Sequence, residues 1–274
     1  MATPDALAQA TSPGVAAFHA SRIPASMPVV DPSCGIGTDL VAFANAGHRV
    51  TAWETDPARA VFARENGKRL ASGSHVEVYE GTAPDTLPDG ACIFYDPARR
   101  DARGRASTDS ERWSPPLAVW ERARLSNPGG LAKFSPGMPN DWLGAQGDSV
   151  VYVSENRECK EACVLFGVCA QGLPRAAALL LPEGIVCQQG HTPDLARQPG
   201  RWLLDPDPAL VRAGALDILE DRIDAKLLSP TDSYLTSETE LSQGDSRLAT
   251  CWRIRDVLPL ARKALARHLR DQGV

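Results

Sequence analysis

Residues 29–40 read VVDPSCGIGTDL, and this run limits what the chain can fold into more than any other. A short apolar strand ends on an acid, Asp31, a turn containing Gly35 and Gly37 follows, and a helix opens near Thr38. Glycines at such a turn allow left-handed backbone and let a ligand approach the chain closely. The helix start adds unpaired N–H groups and the positive end of a dipole. The alternation continues with strand 48–54, helix 57–71, strands 75–81 and 91–96, a helix near 115–125 and strand 130–135. Strands alternating with helices of this length predict βαβ units, hence a parallel sheet with helices on both faces. Two further apolar segments, 148–156 and 161–169, read as a closing antiparallel pair.

Residues 4–22 read as one capped helix, with Thr11, Ser12 and Pro13 resembling an N-cap and first turn. From about residue 171 the texture changes. An apolar strand AAALLLP is followed by many turn formers and by predicted helices over 205–223 and 256–269. We therefore expect a larger unit over 1–170, with an N-terminal helical segment 1–26, and a smaller α+β unit over 171–274.

The turn at 31–37 gains meaning from Glu54, which closes the next strand. An acid at this spacing, at the end of the second strand, is where ribose hydroxyls are gripped. A dinucleotide is disfavoured. Its fingerprint, G-x-G-x-x-G/A, requires a small residue where this chain has Leu40. Asp31 also suits the amino group of a methionine moiety and would sit badly beside a pyrophosphate.

The stretches DPSCGIGTDL, VTAWETDP and IFYDPARRDARGR resemble class I S-adenosylmethionine-dependent methyltransferases, most closely the bacterial group with a THUMP-like C-terminal domain. ATSPGVAAFHASR, LAKFSPGMP, WLLDPDPALVRAG and SPTDSYLTSE extend the resemblance over most of the chain. RNA guanine-N2 methyltransferases are similar at a greater distance. The resemblance implies a Rossmann-like, seven-stranded, mostly parallel sheet with a closing antiparallel hairpin, plus the smaller α+β domain, which reads as shortened at its end. It implies S-adenosylmethionine as cofactor, with Asp31, Gly35 and Gly37 near the methionine part and Glu54 on the ribose; Cys34, inside the glycine turn, is read as packing or touching the cofactor rather than reacting. Thr82 stands where many members carry an acid near the adenine amino group, and a hydroxyl accepts without the carboxylate's charge.

Asp96-Pro97 occupies the place of the D/N-P-P-Y/F/W motif of amine methyltransferases. Asp96 and Pro97 would accept the hydrogens of an exocyclic amine. The stacking aromatic is replaced by Arg99, whose guanidinium can also stack on a base. Trp113, in the same loop, is a candidate ring. Arg100 and Arg103 are candidate substrate contacts.

The chain of 274 residues has a net charge of −5 and a pI near 5.6, so it is no obvious polyanion binder. The charge is uneven: segment 99–105 carries +3 and the last 28 residues carry +5. Such patches can hold phosphates, and substrate contact is the preferred reading of the 99–105 loop, whereas a solvated helix face is the preferred reading of 256–270. The longest apolar runs fall far short of the roughly 20 residues of a membrane span. The N-terminus shows no signal peptide, and seven scattered cysteines read as reduced thiols, so a cytoplasmic protein is expected. Cys159, Cys163 and Cys169 lack metal-ligand spacing, and five dispersed histidines form no ligand pair, so no metal is expected. The expected activity is methyl transfer from S-adenosylmethionine to a base nitrogen of RNA. The alternatives are a catalytically degenerate RNA-binding protein on the same fold, or a small-molecule or protein methyltransferase.

Overall fold

Strand β1 (Val29–Asp31) is buried at each of its positions, as a central parallel strand must be when helices cover both faces of its sheet. The computed structural model describes all residues except 72–74, 85, 100–108, 181–183, 260 and 274. Before β1, the chain forms two short helices, α1 (Pro4–Gln9) and α2 (Pro13–Arg22), rather than the single expected one. The break falls at Thr11-Ser12 because Pro13 forces extended backbone on the residue before it. Ser12 then caps α2, its hydroxyl accepting from Val15 N at 3.3 Å.

The alternating elements follow the sequence closely. They are α3 (Thr38–Asn45), β2 (Val50–Glu54), α4 (Pro57–Leu70), β3 (Val76–Glu80), β4 (Cys92–Tyr95), α5 (Leu117–Ser126) and β5 (Gly129–Phe134), followed by a short helix that was not expected, α6 (Asn140–Ala145). A hairpin of β6 (Ser149–Glu155) and β7 (Glu158–Gly167) comes next, then β8 (Arg175–Leu179) and β9 (Ile185–Gln188). The sheet order is β3-β2-β1-β4-β5-β7-β6-β8-β9. Strands β1 to β5 are mutually parallel, and β7 runs antiparallel between β5 and β6.

The sheet therefore has nine strands, not the expected seven. The added pair comes from residues after 170. The backbone of β8 finds a parallel partner in β6, with Tyr152 opposite Ala177, and β9 caps the new edge antiparallel to β8. Burial on both faces makes this strand continuously apolar, a pattern that does not say which sheet it joins.

Alternate residues of each strand feed two apolar clusters, one per face. Val30, Ile93, Tyr95 and Phe134 pack with Trp120 of α5, while Val29, Phe94 and Leu131 pack with Val15, Leu40 and Phe43 of α2 and α3. The remaining elements are β10 (Trp202–Pro206), α7 (Pro208–Ala213), α8 (Asp217–Ile223), β11 (Lys226–Leu227), β12 (Leu235–Ser237), β13 (Ala249–Arg253) and α9 (Arg262–Asp271). A second, antiparallel sheet runs β11-β12-β10-β13. The expected helix over 205–223 resolves into the end of β10 and two helices parted by Gly214, whose φ of 71° ends α7. Leu204, Leu227 and Leu235 face inward and join the same cluster as Tyr152 and Ala177, with α7 packed between the sheets against β6 and β8.

Candidate active site

Three acids meet where the strand order reverses. Asp31 ends β1, Glu54 ends β2, and Asp96 follows β4 on the other side of β1. This switch point is where open α/β sheets leave a crevice for ligands. Gly35 and Gly37 both have left-handed backbone, at φ 56° and 85°. A Cβ on Gly37 would stand 3.2 Å from Ala63 Cα, whereas a Cβ on Gly35 would meet nothing within 4 Å. Gly37 thus lets α3 and α4 approach each other, and Gly35 leaves open space over the turn.

The acids are held from the backbone. Glu54 accepts from Gly35 N at 2.9 Å through Oε2 and from Asp56 N at 2.8 Å through Oε1. Asp31 Oδ1 accepts from Ser33 N at 2.9 Å, but its Oδ2 is buried with no partner. Burial pushes the Asp31 carboxyl up, and Asp39, Asp96 and Glu54 add to that. A buried acceptor without a donor is costly. A cationic ligand group at Oδ2 would satisfy it and reverse the shift. Ser33 Oγ donates to the backbone oxygen of Asp96 at 3.0 Å, tying the glycine turn to the end of β4.

Sequence reading missed a set of charged residues beneath Asp96. Lys133 of β5 reaches Asp96 Oδ2 at 2.9 Å and Thr11 Oγ1 at 3.2 Å. His19 of α2 is fully buried, with Nδ1 at 2.7 Å from Asp39 Oδ1 and Nε2 at 2.5 Å from Glu161 Oε1. Burial opposes charging this ring, yet Glu161 and Asp39 outweigh it and push its pKa up to about 10. His19, Glu161 and Cys163 stand close enough to suggest a metal group. Both ring nitrogens already face carboxylates, so the cluster is an ion-pair network. His19 and Lys133 lie in ATSPGVAAFHASR and LAKFSPGMP, the segments flanking the better-known motifs. Their presence in that resemblance was the only signal pointing to them.

The other expected residues divide. Thr82 is exposed, in the loop after β3. Pro97 is buried, and Arg99 is half-buried beside a backbone bridge in which Ala98 N donates to Ser114 O at 2.8 Å. Burial pushes the Cys34 thiol far up, so it stays protonated and is no nucleophile. Arg100 and Arg103 lie outside the described residues. Trp113 does not offer a ring to a substrate: it is only 4 % exposed and packs against Phe134 and Trp142, with ring centres 6.0 and 6.3 Å away. A large aromatic next to an apolar pocket gains more from burial than from solvent contact, and the sequence did not show that β5 and α6 form such a pocket.

No protein-family model matches the chain. It is 30 % identical over 241 residues to two Mycobacterium tuberculosis proteins, from strains CDC 1551 and H37Rv, both named as uncharacterized S-adenosylmethionine-dependent methyltransferases. The match takes in 86 % of this chain, which spans 65 % of the length of these curated relatives. A crystal structure provisionally assigned as a methyltransferase, from Porphyromonas gingivalis W83, superposes with a TM-score of 0.73. The superposition covers 98 % of this chain and 71 % of that one at 20 % identity. The fold is the Rossmann-like methyltransferase fold. In that fold the three acids and the glycine turn occupy the carboxyl edge of the sheet. No described helix is long and apolar enough to cross a membrane.

Proposed function

We propose that the chain transfers a methyl group from S-adenosylmethionine to a base nitrogen of RNA. The carrying observation is the unpartnered, buried Oδ2 of Asp31 beside the open space over Gly35. When bound, the cofactor supplies an electrophilic methyl on a sulfonium. Asp31 Oδ2 would receive its amino group. Glu54 would hold the ribose hydroxyls with its remaining lone pairs while the Gly35 and Asp56 N–H groups fix its orientation. Asp96 and the Pro97 carbonyl would accept the hydrogens of the incoming amine, with Lys133 keeping the Asp96 carboxylate oriented. Positioning of this kind carries most of the rate in a direct displacement. Arg99, with Arg100 and Arg103, would contact the RNA.

A second reading has its own support. Thr82 stands where an acid is usual, and the burial of Trp113 leaves the 96–99 motif with no aromatic of its own. A non-catalytic RNA-binding protein would look like this. Titration calorimetry with S-adenosylmethionine and S-adenosylhomocysteine tests the first reading, and absence of binding rejects it. Labelled methyl transfer to cellular RNA, followed by mass spectrometry of nucleosides, separates the two: turnover rejects the second reading, and cofactor binding without turnover supports it.

A further inference from the structure

The junction between α1 and α2 carries two hydroxyls in succession, Thr11 and Ser12, and the structure gives them different work. Ser12 Oγ caps α2 by accepting from Val15 N. Thr11 is buried, and its Oγ1 accepts from Lys133 Nζ at 3.2 Å. The same hydroxyl is hydrogen-bonded to Asp39. Burial works against the charge on Asp39, but the hydrogen bond and charge of His19, the Thr11 hydroxyl and Lys133 together hold its carboxyl below the ordinary range.

The two neighbours fix the direction of both bonds. An ammonium only donates and a carboxylate only accepts, whereas a hydroxyl has one O–H to give and lone pairs to receive with. Thr11 therefore accepts from Lys133 and donates to Asp39, and it stands between a cation and an anion that attract each other. That placement decides where the ammonium goes. Asp96, Glu161 and Asp39 all draw it, yet among the described residues Lys133 forms one ion pair, with Asp96. Asp39 begins the helix that leaves the glycine turn, and Asp96 follows β4. One hydroxyl thus joins the two sides of the crevice.

We propose that Thr11 is a positioning residue for methyl transfer: its hydroxyl keeps the Lys133 ammonium on Asp96 and off Asp39, and so orients the carboxylate that receives the incoming amine. Without the hydroxyl, Lys133 turns towards Asp39 and Asp96 loses its partner. The role rests on the methyl-transfer reading given above.

The test is initial-rate kinetics with the full chain, labelled S-adenosylmethionine and total RNA from cells lacking the protein. Thr11→Val removes the hydroxyl at constant volume. Rates are expressed per folded enzyme, with the folded fraction taken from thermal melts, and Thr11→Ala makes the same comparison if the valine variant does not fold. Loss of a hydrogen bond to a charged group should lower kcat about 5- to 10-fold, with KM for S-adenosylmethionine within twofold of wild type. Thr11→Ser restores both bonds and should return kcat to within about twofold of wild type. Because Thr11 acts through Lys133, adding Thr11→Val to Lys133→Met should slow the enzyme no further, although the two losses of stability still accumulate. A kcat within twofold of wild type in Thr11→Val, a serine variant no faster than the valine one, or rate losses that multiply in the double variant each overturn the positioning role while leaving methyl transfer in place. A wild type that binds cofactor but methylates no RNA overturns the RNA reading and the positioning role together.

Discussion

Lys133 Nζ lies 2.9 Å from Asp96 Oδ2, and strand register puts it there. β4 and β5 run parallel with Tyr95 opposite Ala132, so the next residue on each strand faces its neighbour. Burial works against the charge on Lys133, but Asp96, Glu161 and Asp39 outweigh it and hold the ammonium protonated. Burial pushes the Asp96 carboxyl up, and Lys133 is the main force opposing it.

Replacing Lys133 by Met removes that opposition. The Asp96 carboxyl then rises further, and the acid limb of the pH–rate profile for methyl transfer should move to higher pH. At neutral pH we expect kcat to fall about tenfold, ~1.4 kcal/mol, with cofactor affinity within twofold of wild type. Steady-state kinetics across pH checks this, and coincident profiles for wild type and variant would detach Lys133 from the chemistry.

His19 should make the protein lose stability in mild alkali. Its folded-state pKa of about 10 lies above the value near 6.5 of an unfolded histidine. Its contribution is therefore complete below about pH 6.5 and disappears as pH rises towards about 10. His19→Gln leaves Asp39 and Glu161 buried without their cation, which costs about 3–5 kcal/mol at neutral pH. Urea unfolding free energies between about pH 6 and pH 10 should show the gap between wild type and variant closing as pH rises. A constant gap would mean that the ring is neutral in the folded protein.

The parallel sheet, the glycine turn and the acids at the ends of β1 and β2 were legible because each has a local signature: alternation of elements, glycine spacing and a strand-terminal acid. What was hidden depends on register and on distance in sequence. Lys133 is 37 residues from Asp96 and Glu161 is 142 from His19, and no pattern within one segment reports that β5 lies between β4 and β7. The assignment of β8 failed for the same reason. An apolar strand announces burial but not which edge it joins. Trp113 was misplaced because a tryptophan in a polar loop looks available until the pocket that covers it is seen.

Glu54→Gln should separate ligand binding from folding. The glutamine can keep one backbone N–H bond, so we expect a stability loss of about 1 kcal/mol. Cofactor affinity should fall more, about 10- to 100-fold, because the charged acceptor for two hydroxyls is gone. Gly37→Ala should show the opposite balance. A Cβ there meets Ala63 at 3.2–3.3 Å at a φ of 85°, so it should lower the melting temperature more than Gly35→Ala does. Calorimetry and thermal melts on the three variants check both statements.

Trp113 gives the sharpest contrast between a substrate role and a packing role. Its ring touches Phe134 and Trp142, and its exposure of 4 % leaves no face for a base. Trp113→Ala should therefore cost about 3–5 kcal/mol, as truncating a buried aromatic does. Trp113→Phe keeps a ring among those neighbours and should cost markedly less. If the ring only packs, Trp113→Phe leaves RNA affinity and KM for RNA within twofold of wild type, and any loss in Trp113→Ala follows the loss of folded protein in a melt. A stacking role would instead raise KM for RNA in both variants while the melting temperature of Trp113→Phe stayed near wild type. Denaturant unfolding beside KM measurements on the same preparations decides between them.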